Sequence, residues 1–216
     1  MTDKFPAPWT LNGNGYMFLC RFSRDFIESS GFLPPSLQGC FAGGFGCVMI
    51  VDYRTSTAGP YRELLFIPGK FRHPTGRLYS ITKIYVSSKI SVDNGRENWG
   101  IPKELADFSI SRKDPSGEVI RVSSSSGEIL SAEIGSGSLS FPVTTRLAPV
   151  TLVQELGGRI YHTRFQGHGK GRFARLNNIS VNSSLFPDIS RIKPLVGIRV
   201  ENFTLEFPVP KIITPS

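Results

Sequence analysis

Apolar and polar residues alternate in short runs along most of this chain, and Gly, Pro, Asn and Ser break the runs. That spacing predicts many short strands rather than long helices. An irregular arm over residues 1–14 ends at Gly13-Asn14-Gly15, a turn signal, and residues 16–22 read as the first strand. Residues 23–38 hold one helical turn near 25–29 and close on Pro34-Pro35. Residues 41–53 and 61–68 read as the next two strands. Gly43, Gly44 and Gly46 open the first of these, where glycine marks a bulge or a curving wall. Residues 77–91 read as the strongest strand, and over 81–88 both alternating faces carry apolar groups, as in a sheet covered on both sides. They lead into a loop over 94–103. Strands over 107–113 and 118–123 flank the turn at 114–117. The run Ser123-Ser124-Ser125-Ser126-Gly127 then turns into a strand over 128–134. Residues 141–157 read as a short apolar helix or as a segment crossing a barrel mouth. Residues 159–181 and 195–207 read as long closing strands. The expected fold is mainly β: a cone or barrel of antiparallel strands with one or two short helices, in a single domain spanning 1–216.

Composition narrows the function. The 216 residues are 39% hydrophobic and 19% charged, with 22 Gly and 16 Pro, a globular and turn-rich balance. The net charge of +8 favours anionic partners, a carboxylate substrate among them. Cys20, Cys40 and Cys47 form no Cys-x-x-Cys pair, and the N-terminus has no signal-like apolar run. A cytoplasmic, reducing setting is therefore expected. No run approaches the roughly 18 apolar residues of a membrane span. His73, His162 and His168 lie far apart without clustered acids or thiols, so no metal is expected. No phosphate loop, dinucleotide fingerprint or nucleophile elbow is present, so no cofactor is expected either. The basic, aromatic-laced run 159–175 has the composition of a single-strand nucleic-acid surface. A strand pair with a basic outer face is the preferred account of it, and no nucleic-acid partner is expected.

The candidate chemistry centres on residues 94–108, Asn-Gly-Arg-Glu-Asn-Trp-Gly-Ile-Pro-Lys-Glu-Leu-Ala-Asp-Phe. Pro102 fixes its own φ and biases Ile101 toward an extended form, so Lys103 leaves a stiff apolar segment that also carries Trp99. A lysine held from water loses preference for its charged form and becomes a better nucleophile. Glu63, in Tyr61-Arg62-Glu63-Leu64, faces either solvent or a barrel interior. Arg96 and Glu97 either brace each other or, for Arg96, bind a substrate carboxylate.

The segment Gly95-Arg96-Glu97, Pro102-Lys103 and Leu105 resembles the active-site stretch of the acetoacetate decarboxylase family. Gly59-Pro60-Tyr61-Arg62-Glu63 resembles that family's stretch with a catalytic glutamate. The likeness covers roughly residues 34–108. It implies the family's cone-like β fold, a Schiff-base role for Lys103 and an acid–base role for Glu63. Tyr61, Arg96, Glu97, Trp99, Ile101 and Glu104 are implied as pocket residues. Acetoacetate decarboxylase is itself the standard example of a lysine activated in this way. The implied activity is lyase-type (decarboxylase, aldolase-dehydratase or cyclase) on a carbonyl-bearing or polyketide-like metabolite. A barrel that binds or templates an apolar metabolite without imine chemistry is the alternative. The wording around Trp99 is most similar to a fungal, cyanobacterial and plant branch that includes the neoxanthin-deficient proteins and implies secondary metabolism. Family members are often oligomeric, which implies a homo-oligomer. The chain departs from the pattern at three places. Glu104 stands where the family has a second lysine. A pocket arginine and a pocket glutamate align loosely with Asn14 and Val48.

Overall fold

Twelve residues of alternating burial, Trp9–Cys20, form the first strand, β1, at the centre of the larger sheet. The computed structural model describes residues 3–113, 117–146 and 150–214. After β1 come α1 (Arg24–Ser30), β2 (Phe41–Gly43), β3 (Gly46–Ser56), β4 (Tyr61–Ile67), β5 (Lys70–His73), β6 (Gly76–Tyr79) and β7 (Lys83–Val86). Helix α2 (Lys89–Trp99) leads to β8 (Lys103–Leu105), β9 (Asp107–Lys113), β10 (Gly117–Ser124) and β11 (Gly127–Thr144). The chain closes with β12 (Thr151–Leu156), β13 (Arg159–Arg164), β14 (Gln166–Val181), β15 (Val196–Phe207) and β16 (Lys211–Ile213).

Ten strands make one sheet in the order β8-β7-β4-β3-β1-β15-β14-β11-β10-β9, and six make a second in the order β16-β13-β12-β6-β5-β2. Pairings are antiparallel except β7 with β8 and β6 with β12. The larger sheet curls on itself. Even-numbered residues of β1, Tyr16 and Phe18, share a core with Ile120 and Val122 of β10 and with Leu130 and Ile134 of β11. Odd-numbered residues, Trp9 and Leu11, pack instead with Val51, Tyr61, Val86, Trp99 and Leu152, beneath α2 and β12. The central strands are thus covered on both faces. This explains why nearly every residue of β4 is buried although its sequence does not alternate.

The mainly-β reading holds, as does the single helical turn, which is α1, capped by the Ser23 hydroxyl on Phe26 N–H. Boundaries differ where local geometry overrides pattern. The strand over 41–53 is split, because Gly43 and Gly44 adopt positive φ (79° and 92°) and turn the chain between β2 and β3. Residues 77–91 are not one strand. They hold β6, β7 and the start of α2, and the loop over 94–103 is mostly that helix. Ser88 caps it by accepting from Ser91 N–H, and Gly100 ends it in the left-handed region at φ 66°. No helix lies within the described part of 141–157, where β11 ends and β12 begins. The turn at 114–116 lies outside the described residues. Among the described residues no helix is long and apolar enough to cross a membrane.

Candidate active site

Four elements converge on the amine of Lys103. β8 lies at the edge of the larger sheet, with Lys103 opposite Ile84 of β7. Tyr61 and Glu63 lie two residues apart on β4 and so point to one face. Tyr53 of β3 sits opposite Tyr61 on that same face. Helix α2 then crosses this face and closes it. Its buried positions Ser91, Gly95 and Trp99 are spaced by four, one stripe of a helix.

The amine is fully engaged. Lys103 Nζ lies 3.3 Å from Glu63 Oε2. It donates to Ser91 Oγ at 3.0 Å and to the Tyr61 hydroxyl at 3.4 Å. Tyr53 donates its hydroxyl proton to Glu63 Oε1 at 3.2 Å. Lys103 is 4% exposed and Glu63 5%, so water screens neither charge. The Nζ also sits 4.9 Å from the Tyr61 ring centroid and 5.9 Å from that of Trp9. Gly95 makes the approach feasible: a Cβ there would lie 2.7 Å from Lys103 Cδ and 2.9 Å from Cε. The lysine therefore lies flat against the helix where the helix has no side chain.

Burial pulls the Lys103 pKa below its usual value, and the Glu63 carboxylate opposes that shift by charge and by hydrogen bonding. The Tyr53 and Tyr61 hydroxyls are pushed well above the usual tyrosine value, first by burial and then by the Glu63 charge. Both phenols therefore keep their protons across the physiological range and act as hydrogen-bond donors.

The remaining candidates separate into two groups. Trp99 and Ile101 are buried beside the cluster. Trp99 meets Trp9 edge-on at 5.0 Å and donates Nε1–H to the Pro208 carbonyl at 2.8 Å. Glu104 points to the opposite side of β8 and pairs with Lys83 at 2.6 Å. Arg96 and Glu97 are exposed on the outer side of α2, where Glu97 pairs with Lys4 at 3.1 Å. Asn14 and Val48 lie on the other face of the sheet, Val48 in the core with Tyr16 and Phe18. Asn14 accepts from Asn202 N–H. Sequence reasoning missed Ser91, Tyr53 and Trp9, and it offered Gly95 as a motif residue without its contact with Lys103. The cap residue Ser88 and the Ser91–Gly95–Trp99 spacing were the signal for α2. Nothing local marks Tyr53 or Trp9, whose places come from strand pairing.

Two cavities lie nearby, and Lys103 lines neither. One of about 60 Å³ sits inside the curled sheet by Asn14, Tyr16, Glu118 and Arg199. One of about 390 Å³ lies outside α2, by Val92, Arg96 and Glu104. Among the described residues, no three His, Cys, Asp or Glu side chains group as a metal site.

The frame of the site is therefore a curled, mostly antiparallel sheet with a helix folded over a buried polar cluster. The family model described as acetoacetate decarboxylase (ADC) matches residues 2–180, and the chain belongs to that family. Membership supports an enzyme of the lyase kind. Among solved structures, the acetoacetate decarboxylase of Legionella pneumophila is 16% identical with a TM-score of 0.73, over 96% of this chain and 88% of that one. An acetoacetate decarboxylase-like enzyme from Sphingomonas wittichii is 12% identical with a TM-score of 0.69, over 97% and 94%. The enduracididine biosynthesis enzyme MppR, complexed with pyruvate, is 15% identical with a TM-score of 0.65, over 96% and 90%. These likenesses concern the fold. No curated protein matches the chain.

Proposed function

We propose that this chain, as one domain over residues 1–216, is a lyase-type enzyme acting on a carbonyl-bearing metabolite through the amine of Lys103. One observation carries the reading: an amine 4% exposed lies 3.3 Å from an equally buried carboxylate. Burial favours the neutral amine, which is the nucleophilic form. In this reading the nitrogen lone pair adds to the carbonyl carbon and the π pair moves to oxygen. Glu63, in its acid form, protonates that oxygen, and water leaves to give an iminium. The iminium then takes up the electron pair of a breaking bond one carbon away. With a β-keto acid that bond is the one to the carboxylate, and CO₂ departs. Glu63, recharged with one proton from solvent, protonates the resulting enamine on carbon, and water then releases the ketone and the neutral amine and returns a proton to the Glu63 carboxylate. The Tyr61 and Ser91 hydroxyls position Nζ, and Tyr53 holds Glu63. The fold neighbour that binds pyruvate supports a carbonyl acid as the substrate class.

A second reading rests on the three partners that already engage Nζ and on the two cavities that do not reach it. Lys103 then stays an ammonium and donates a hydrogen bond to a bound ligand, with no covalent step. Borohydride trapping with β-keto and α-keto acids, read by mass spectrometry, separates the two. The first reading expects a reduced adduct on Lys103 that is absent in the double variant Lys103→Met/Glu63→Gln, which avoids an orphaned buried carboxylate. An adduct on another lysine, or none from any carbonyl acid, would overturn it.

A further inference from the structure

The cavity of about 390 Å³ outside α2 is within the size range of small-molecule sites. The same helix forms its wall and the roof of the lysine cluster: Ser91 and Gly95 face the cluster, Arg96 faces outward, and Val92, a member of the core beneath the helix, also lines the cavity. Charges around it are nearly all matched. Lys89 pairs with Asp93, and Glu104 pairs with Lys83. Arg96 is the lining cation whose guanidinium has no side-chain partner among the described residues. Val92, Leu105 and Leu185 supply apolar contacts, and the turn 124–126 supplies three serine residues with their hydroxyls. Leu105 is 52% exposed, a large apolar side chain at the rim.

We propose that this cavity is a binding site for a small organic acid bearing one carboxylate and a short, partly hydroxylated apolar chain. The unmatched guanidinium takes the carboxylate in its two-pronged geometry. A single unmatched cation fits a single negative group, since a second anion would face Glu104 and Asp93 without compensation. Val92, Leu105 and Leu185 cover the apolar chain, and the serine run takes its oxygen. The site is independent of imine chemistry, because Arg96 and Lys103 lie on opposite sides of α2.

Calorimetric titration of the whole chain with 6-hydroxyhexanoate tests it, since that acid has no ketone and forms no imine with a lysine. The methyl ester and inorganic phosphate are the comparison probes. Saturable binding of the acid is expected, weakened about tenfold or more by Arg96→Gln, the loss of a charge-assisted contact. Leu105→Trp, which fills the cavity from an exposed position, is expected to abolish binding. Lys103→Met/Glu63→Gln is expected to bind as the parent does, and the ester to bind far more weakly. Absence of saturable binding overturns the proposal, as does equal binding by Arg96→Gln or loss of binding only in the Lys103 variant. Binding of phosphate in place of the acid overturns the carboxylate assignment.

Discussion

At the residue scale the question is the protonation of one amine. Burial removes water from Lys103 Nζ and penalises only the ammonium, while Glu63 at 3.3 Å favours it. The net direction is downward, so burial outweighs the carboxylate. The pH dependence of Lys103 acylation by a small anhydride reads this balance. Its midpoint is expected below the roughly 10.4 of a free lysine. Glu63→Gln removes the opposing charge and keeps the shape, so the midpoint is expected to fall further. A midpoint that rises in Glu63→Gln would show that the carboxylate does not govern the amine. A wild-type midpoint at or above the free-lysine value would rule out a desolvated nucleophile in the resting protein. The absence of a second lysine beside Lys103 fits this picture: Glu104 turns away to Lys83, so burial is the cause that lowers the pKa.

At the element scale, α2 decides what Lys103 meets. Gly95 costs the helix about 1 kcal/mol relative to alanine in an ordinary interior position. Here a Cβ would press on Lys103 Cδ and Cε, so the residue serves the lysine and not the helix. Gly95→Ala is expected to keep the fold, with a melting temperature within a few degrees of the parent, because the displaced atoms are the end of a flexible side chain. It is expected to move Nζ off Ser91 and Tyr61 and to slow borohydride trapping about a hundredfold, the scale of a 1 Å misplacement. Trapping at the parent rate would mean that the contact with the helix is not needed. This helix is also the element least legible in the sequence. Asn94-Gly95 is a strong turn pair, and residues 81–88 alternate like a strand, so the pattern ran on through 91. The competing signals were Ser88 as a cap and the four-residue spacing of Ser91, Gly95 and Trp99, and both depend on tertiary burial to outweigh the turn pair. Strands such as β4 and β9 were legible because their ends coincide with Gly, Pro or polar breaks. Lys103 and Glu63 drew attention through the motifs around Pro102 and Tyr61. Tyr53 and Ser91 did not, since a cross-strand pairing and a helix crossing bring them there.

At the scale of the whole molecule, the two ends of the chain hold α2 down over the lysine. Asn94 Nδ2 donates to the Asp3 carbonyl at 3.0 Å, and Phe5 N–H donates to Asn94 Oδ1 at 2.7 Å. Asn98 donates to the Phe5 carbonyl at 2.8 Å, and Trp9 Nε1–H donates to that same oxygen. From the other end, Trp99 reaches the Pro208 carbonyl. Asn94 is 4% exposed, so its amide has no water to replace these partners. The two cores then predict where damage goes. Trp9, Trp99 and Val92 belong to the core beneath α2, whereas β10 and β11 pack into the core inside the curled sheet. Asn94→Ala removes both bonds to the arm and a third, to the Ile90 carbonyl. At about 1 kcal/mol per bond, the local opening of α2 becomes about 3 kcal/mol easier. Hydrogen exchange of α2 amides is expected to quicken by about a hundredfold, since 1.4 kcal/mol is about one factor of ten. Amides of β10 and β11 are expected to keep their protection. Water then reaches Nζ more often in the variant, and the acylation midpoint of Lys103 is expected to move up toward the free-lysine value. Equal loss of protection in both cores would show that the arm stabilises the molecule as a whole. Quickened exchange in α2 with an unmoved midpoint would show that the strands and tyrosines, rather than the strapped helix, keep water from the amine.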